Sequence, residues 1–195
     1  MRRANEGVSA SEVRAQRIRN YQPWAGWRGG PKGTITDDTQ MTMWLAESIF
    51  GAAQRAGEGG VADPQDYLLD PDDLAQRFTR EDIRGFGQAT QEFVRNYKDL
   101  KKPWYVAGIP SAGNGTAMRA ASVGLVHLGD PYRIYRDSLL QSVITHRDSV
   151  AIAASACQAY ATARAACTLA GYLAGQKVRA VRRNLVGAPD WPCQR

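Results

Sequence analysis

The sequence lacks the features that would place it in or across a membrane. No apolar run approaches the roughly 20 residues that a helix needs to span a bilayer. The first twenty residues carry charge without an apolar segment (MRRANEGVSASEVRAQRIRN), so they predict no secretory signal. We therefore expect a cytoplasmic protein with no membrane partner.

Cysteine is scarce and unevenly placed. The three cysteines, Cys157, Cys167 and Cys193, are widely spaced, and an odd number at such spacing fits neither a disulfide framework nor a zinc motif. Cys157 and Cys167 lie in an Ala-rich helical pattern, which predicts small core residues. A reducing compartment is the simplest setting for such thiols.

Signals for β-strands are also missing. No stretch alternates cleanly between apolar and polar residues, there is no internal repeat, and the one Asn-Gly pair, Asn114-Gly115, leads into a helical pattern. Apolar residues instead recur at steps of three and four from Asp38 onward, which predicts an amphipathic helix. Weaker helical patterns occupy residues 72–80 and 88–98, and three successive helices are predicted at 117–128, 131–146 and 148–175.

These patterns predict an all-α protein whose functional residues lie on loops between helices. We place one domain at residues 1–175 and a basic, irregular tail at 176–195. The net charge is +6, but the basic residues are scattered outside that tail. No basic run is interleaved with aromatic residues, so no nucleic-acid partner is clearly indicated.

Two adjacent acids precede the first long helical pattern, in GTITDDTQMTMWLAESI. In one interpretation Asp37 is an N-cap, Gln40 completes a capping box, and Asp38 interacts favourably with the helix dipole. In the other, the two carboxylates and the flanking threonine hydroxyls are hard oxygen ligands for Mg²⁺, Mn²⁺ or Ca²⁺. A cap explains one acid better than it explains two.

A glycine-rich loop, SAGNGTAMR, offers a different chemistry. Gly113 and Gly115 flank Asn114, and backbone amides without side chains can approach phosphate oxygens at a helix start. The alternative is a turn followed by a helix that begins at Thr116. No Gly-Lys-Ser/Thr follows, so the loop is not a Walker A motif.

The two histidines lie at predicted helix ends. His146, in ITHRDS, falls in a turn between two predicted helices, where it is either a surface turn residue or part of a site. His127, in GLVHLGD, is predicted to end a helix and receives no functional role.

Three segments occur together in a fixed order: TITDDTQMTMWLAESI, SAGNGTAMRAASVG and ITHRDSVAIAASA. Over roughly residues 6–165 the sequence resembles the ADP-ribosylglycohydrolase family, which includes the dinitrogenase reductase-activating glycohydrolases. The resemblance implies a single-domain orthogonal helical bundle with two divalent ions, Mg²⁺ or Mn²⁺, in a cleft. It also implies hydrolysis of the bond between ADP-ribose and a modified side chain, or of related ADP-ribose compounds, so the expected partner is an ADP-ribosylated protein or a small ADP-ribose compound.

The resemblance assigns roles to individual residues. It implies metal ligands at Glu6, Thr36, Asp37 and Asp38, with the three acids also catalytic, and a ligand-binding set at Ser111, Gly113, Asn114, Gly115 and His146. Glu6 is alternatively a solvent-exposed acid near the terminus. Composition alone suggests that Trp104 or Tyr105 stacks on adenine.

The sequence also departs from the family pattern. Family members are longer, begin with a Gly-Asp-Ala-x-Gly-like segment, and end with an Asp-x-Asp-Thr metal motif that is absent here. We therefore expect that the chain is truncated at both ends and that the helical bundle is incomplete at its C-terminus. The tail is of native or frame-shifted origin. Exposed faces of the core are expected to cause self-association. Three alternatives stay open: a working hydrolase, an ADP-ribose-binding relative without chemistry, and a non-functional fragment.

Overall fold

The computed structural model describes residues 9–15, 17, 30–58, 69–80 and 82–173. Glu6, Cys193 and the predicted tail at 176–195 lie outside these residues. The described helices are α1 (Ala10–Ala15), α2 (Asp37–Glu58), α3 (Pro71–Arg77), α4 (Gln88–Val94), α5 (Trp104–Ala107), α6 (Ala121–Val126), α7 (Pro131–Val143) and α8 (Ser149–Leu173). A π-helical turn, Arg95–Asp99, continues α4. This part of the chain has no β-strand, and Ile109 and His146 form an isolated parallel bridge, so the all-α prediction is confirmed.

Aspartates start two of the helices that carry the fold. The Asp70 carboxylate accepts the N–H groups of Asp72 and Asp73 at 3.0 and 3.1 Å, and Asp130 accepts that of Arg133 at 3.0 Å. In both helices a proline fills the first helical position, where no N–H is needed. Local sequence therefore fixes where α3 and α7 begin.

Helix α2 starts differently from the predicted capping box. Asp37 is already helical, and the Gln40 side chain does not return to the helix start. Gln40 instead donates to the Asp82 carbonyl at 2.9 Å and accepts the Arg84 N–H at 2.9 Å. The capping-box interpretation is wrong, because this buried amide satisfies the backbone of a neighbouring loop.

The core forms where α2 meets the later helices. The predicted apolar face of α2 is buried at Met41, Leu45 and Ile49, and it packs in one cluster with Phe78 and Ile134. Helix α8 packs against both α6 and α7. The last three helices thus form a rigid support for the loops between them.

A buried hydrogen bond joins the end of α6 to α7. His127 Nε2 lies 2.7 Å from Asp137 Oδ2, and Arg136 Nε donates to Asp137 Oδ1 at 2.7 Å. Burial alone would raise the pKa of Asp137, but the hydrogen bonds from His127 and Arg136 outweigh it and hold the pKa below its ordinary value. His127 therefore has a structural role that its position in the sequence did not indicate.

The cysteines depart from their predicted core positions. Cys157 is exposed and free, so the core assignment is wrong for this residue. Cys167 is partly buried and disulfide-bonded, which the spacing of the cysteines did not predict. Among the described helices, none is both long and apolar enough to cross a membrane.

Candidate active site

At the start of α2, the side chain of Asp37 is buried and that of Asp38 is exposed to solvent. Asp37 is only 6 % exposed, whereas Asp38 is exposed. The Asp37 N–H donates to the Arg84 carbonyl at 2.6 Å, and a Cβ added to Gly85 would lie 3.3 Å from Asp37 Oδ1. Gly85 has a φ of +78°, a conformation that favours glycine, so a tight turn shelters the buried carboxylate.

The second predicted element, residues 108–115, is held against the end of α7 by its backbone. Ile109 N–H donates to the Thr145 carbonyl at 3.1 Å, and Arg147 N–H donates to the Ile109 carbonyl at 2.8 Å. A Cβ on Gly108 would lie 2.6 Å from the Val143 carbonyl oxygen, which leaves room only for glycine. These contacts fix the position of the glycine-rich loop that follows.

His146 lies directly against that loop. The residue is 4 % exposed, and a Cβ on Gly115 would lie 2.6 Å from Cε1 and 3.0 Å from Nε2 of its ring. A Cβ on Gly113 would lie 3.3 Å from the same Nε2. The structure therefore brings His146 and the Ser111–Gly115 loop together, while their role in ligand binding stays a prediction.

The other ring nitrogen of His146 is held from behind. Thr145 Oγ1 lies 2.7 Å from His146 Nδ1, and the same hydroxyl oxygen accepts Arg119 Nη2–H at 2.8 Å. Arg119 also donates to the Gln141 carbonyl at 2.8 Å and to Gln141 Oε1 at 2.5 Å. Its guanidinium carbon lies 4.4 Å from the centroid of the Phe78 ring.

Arg119 is a fully buried cation between the two halves of the site. Burial lowers the pKa of its guanidinium to about 9, and the negative charge of Asp37 acts in the opposite direction. Burial and the Arg119 charge lower the pKa of His146 to about 4. At neutral pH the site therefore holds a charged Arg119 beside a neutral His146.

Further contacts bring α2 alongside the segment after the loop. Thr42 Oγ1 donates to the Asp38 carbonyl at 2.6 Å and lies 3.4 Å from the Met118 carbonyl oxygen, and Ser122 Oγ donates to the Thr42 carbonyl at 3.2 Å. Arg119 Nη1 approaches Met41 Sδ at 3.6 Å. The start of α2 and the segment after the glycine-rich loop are therefore adjacent parts of one region.

The remaining predicted site residues have looser placements. Ser111 Oγ accepts the Gly113 N–H at 3.3 Å, and the exposed Asn114 accepts the Met118 N–H through its carbonyl at 3.0 Å. Tyr105 is exposed and packs edge to face on Trp104, with ring centroids 5.4 Å apart. The suggested stacking on adenine stays a prediction.

The oxygen donors at the start of α2 fit one side of a divalent cation. Thr36 Oγ1 lies 3.4 Å from Asp38 Oδ2, so a hydroxyl and an exposed carboxylate share one surface. Carboxylate and hydroxyl oxygens are the ligands that Mg²⁺ and Mn²⁺ prefer. In the described part of the chain, however, no group of three or more His, Cys, Asp or Glu side chains is gathered to hold a metal. The binding of Mg²⁺ or Mn²⁺ therefore stays a prediction, and the predicted ligand Glu6 lies outside the described residues.

Sequence reasoning missed three residues of this region: Gly85, Arg119 and Thr145. Arg119 ends the quoted GNGTAMR string, and a lone arginine between Met118 and Ala120 in an otherwise apolar run is the signal that could have found it. Gly85 and Thr145 gave no such signal, because their roles come from contacts with distant segments.

Comparison with known proteins agrees with this geometry. The family model described as ADP-ribosylglycohydrolase matches residues 3–191, and the chain belongs to the ADP-ribosylglycohydrolase family. A curated protein of Archaeoglobus fulgidus, described as uncharacterized, is 27% identical over 164 residues, which is 81% of this chain and 48% of the relative. The chain thus spans about half the length of the curated relative that it matches.

Proposed function

We propose that this chain hydrolyses the glycosidic bond between ADP-ribose and a modified side chain, or that of a related ADP-ribose compound, with the help of a divalent cation. Family membership supports the class of substrate. The observation that carries the proposal is the contact between His146 and the Ser111–Gly115 loop, next to a helix that begins with two aspartates. An anionic nucleotide ligand would meet the backbone of the glycine-rich loop on one side and the carboxylates of α2 on the other.

Each part of the site has a task in this reaction. The backbone N–H groups of the Ser111–Gly115 loop would hold the diphosphate. The exposed Asp38 carboxylate would accept a proton from the water that attacks the anomeric carbon, while the bond to the leaving side chain breaks. Thr36, Asp37 and Asp38, with Glu6 by resemblance, would hold Mg²⁺ or Mn²⁺. When bound, such an ion stabilises negative charge and lowers the pKa of a coordinated water.

The direct test is release of ADP-ribose from an ADP-ribosylated arginine substrate. We expect release with Mg²⁺ or Mn²⁺ and none after chelation with EDTA. Replacing Asp37 and Asp38 together by asparagine should abolish the cation-dependent release of ADP-ribose. Asp99→Asn, which changes an exposed acid in the π-helical turn, should leave that release unchanged. Release that is equally fast in EDTA would contradict the role of the cation.

One observation favours a second candidate function, an ADP-ribose-binding module without catalysis. The described residues bring no third acid, cysteine or histidine to Asp37 and Asp38, and the sequence carries no Asp-x-Asp-Thr motif. In that case ADP-ribose should raise the melting temperature of the chain with no release of product. A chain that responds to neither ligand nor substrate would contradict both candidates and would favour a non-functional fragment.

A further inference from the structure

We infer that Arg119 and Thr145 are positioning residues that hold His146 in a single tautomer, with its hydrogen on Nε2, so that the imidazole presents a donor to the ligand on the Ser111–Gly115 loop. The inference rests on the proposed function for the identity of the ligand. For the tautomer, the inference rests only on the hydrogen bonds of the described residues, with the Thr145 hydroxyl as the donor to His146 Nδ1.

The argument starts from which groups can donate. Arg119 has only donors, so its 2.8 Å contact makes Thr145 Oγ1 an acceptor. The Thr145 hydroxyl then has one hydrogen left, and His146 Nδ1 lies 2.7 Å from the same oxygen. If that hydrogen is donated to Nδ1, then Nδ1 is an acceptor, and a neutral imidazole must carry its own hydrogen on Nε2.

Arg119 is well suited to start this series of hydrogen bonds because its guanidinium is held in one orientation. It is fully buried, its guanidinium is held by Gln141 through two contacts, and it lies over the Phe78 ring. Gln141 is itself fixed by donating to the Thr116 carbonyl at 3.1 Å and to Ser155 Oγ at 2.5 Å. The direction of the Thr145 hydroxyl is therefore set by a rigid, buried network.

The last atom of this series of hydrogen bonds, His146 Nε2, faces the proposed ligand site. His146 Nε2 lies near Gly113 and Gly115, and within the described residues no hydrogen bond is made by this nitrogen. His146 Nε2 is not fully buried, so a ligand oxygen on the loop can reach it and accept its hydrogen. Burial and the Arg119 charge, which keep His146 neutral, agree with this arrangement.

The test is long-range ¹H–¹⁵N correlation NMR of the imidazole nitrogens at pH 7. The chain has only two histidines, so His146→Gln assigns the two spin systems. We expect a pyridine-type Nδ1 and a pyrrole-type Nε2 for His146 in the unaltered protein. The opposite tautomer, or an even mixture, would overturn the inference without any variant.

Variants of Thr145 test the chain of donors. Thr145→Val keeps the shape of the side chain but removes the hydroxyl, and it should convert His146 to a mixture of tautomers, whereas Thr145→Ser should restore the single tautomer. Thr168→Val is the matched control, because the Thr168 hydroxyl bonds only the Arg164 carbonyl of its own helix. An unchanged His146 spectrum in a folded Thr145→Val protein would overturn the inference.

Ligand affinity separates this inference from the proposed function. We expect Thr145→Val to weaken ADP-ribose binding by about 3- to 10-fold, the scale of one lost hydrogen bond, and Thr145→Ser to restore it. Unaltered affinity in a Thr145→Val protein with mixed tautomers would overturn the donor role. If the unaltered protein shows the Nε2–H tautomer and does not bind ADP-ribose, the proposed function fails while the positioning of His146 stands.

Discussion

At the scale of single residues, the site is defined by how a buried charge is compensated. Arg119 has no carboxylate within salt-bridge distance among the described residues, and its partners are a glutamine, a threonine, a thioether and an aromatic ring. The nearest described influence of opposite charge is Asp37 at the start of α2. This one cation thereby interacts with Asp37 on one side and with the imidazole of His146 on the other.

The neutral state of His146 predicts sensitivity to mild acid. The pKa of His146 is about 4 in the folded protein and 6.5 when unperturbed. Between pH 4 and pH 6.5, His146 is therefore protonated in the unfolded chain and neutral in the folded chain. The free energy of unfolding should therefore fall by up to about 3 kcal/mol as the pH drops from 6.5 to 4.

Urea unfolding at a series of pH values measures this loss, and His146→Gln serves as the non-titrating comparison. The variant should lose clearly less stability over the same interval. Parallel curves for the two proteins would show that His146 is not the titrating group.

At the scale of elements, sequence patterns predicted six of the eight described α-helices and missed α1 and α5. The apolar spacing of Met41, Leu45 and Ile49 predicted α2 because a 3.6-residue period is visible over many turns. Helix α5 has four residues inside a Pro- and Gly-rich loop, which is too short to show a period. The π-helical turn Arg95–Asp99 was covered by a predicted helix, but its wider hydrogen bonding is not encoded in apolar spacing.

The same limit applies to the site. Thr36, Asp37 and Asp38 stand next to each other in sequence, so a local string of letters sufficed to find them. The pairing of Arg119 with Thr145 and of Asp37 with Gly85 depends on how distant segments pack, and no local pattern reports it. Membership of a family recovered the motifs but not these supporting contacts.

A side chain at Gly115, where the glycine-rich loop contacts the imidazole of His146, should destabilise the protein. In Gly115→Ala the new Cβ would lie 2.6 Å from His146 Cε1, and the ring cannot retreat because Thr145 holds Nδ1. We expect a loss of about 1–3 kcal/mol in the free energy of unfolding, the usual cost of overpacking.

Gly57→Ala is the matched control, because nothing lies within 4 Å of the added Cβ and alanine favours the helix. Equal stability of the two variants in urea unfolding would show that the contact with His146 is not restrictive.

The loop that shelters Asp37 depends on one side chain of α2. Gln40→Ala would remove the acceptor of the Arg84 N–H and the donor to the Asp82 carbonyl, and we expect a destabilisation of about 1–3 kcal/mol from the unpaired backbone groups.

Gln54→Ala, in the same helix but exposed, should change the free energy of unfolding by less than about 0.5 kcal/mol. Thermal unfolding of both variants measures the difference, and a similar small effect of Gln40→Ala would show that the loop is held by other contacts.

At the scale of the whole molecule, the buried pair between His127 and Asp137 joins α6 to the helix that ends at the site. Asp137→Asn would replace the carboxylate that accepts hydrogen bonds from His127 and Arg136, and we expect a destabilisation of about 1–3 kcal/mol, the scale of hydrogen bonds to a charged group. Because the pKa of Asp137 is lowered, its contribution is present above pH 3.8 and is lost as the pH falls below that value.

Urea unfolding at pH 7 should show this loss for Asp137→Asn, with Asp99→Asn unchanged as the exposed comparison. A loss below about 1 kcal/mol would mean that the helices are joined mainly by apolar packing. Self-association through exposed apolar faces stays a prediction at this scale, and sedimentation of the purified chain would measure it.

The bridge between Ile109 and His146 has a consequence for how this site can diversify. Its two hydrogen bonds join main-chain atoms only, and a main chain keeps its amides and carbonyls whatever side chains it bears. Substitutions at 110–112 can therefore change the side chains beside the glycine-rich loop while the spacing between the loop backbone and His146 is kept. A randomised library over these three positions should yield altered ligand preferences far more often than collapsed proteins.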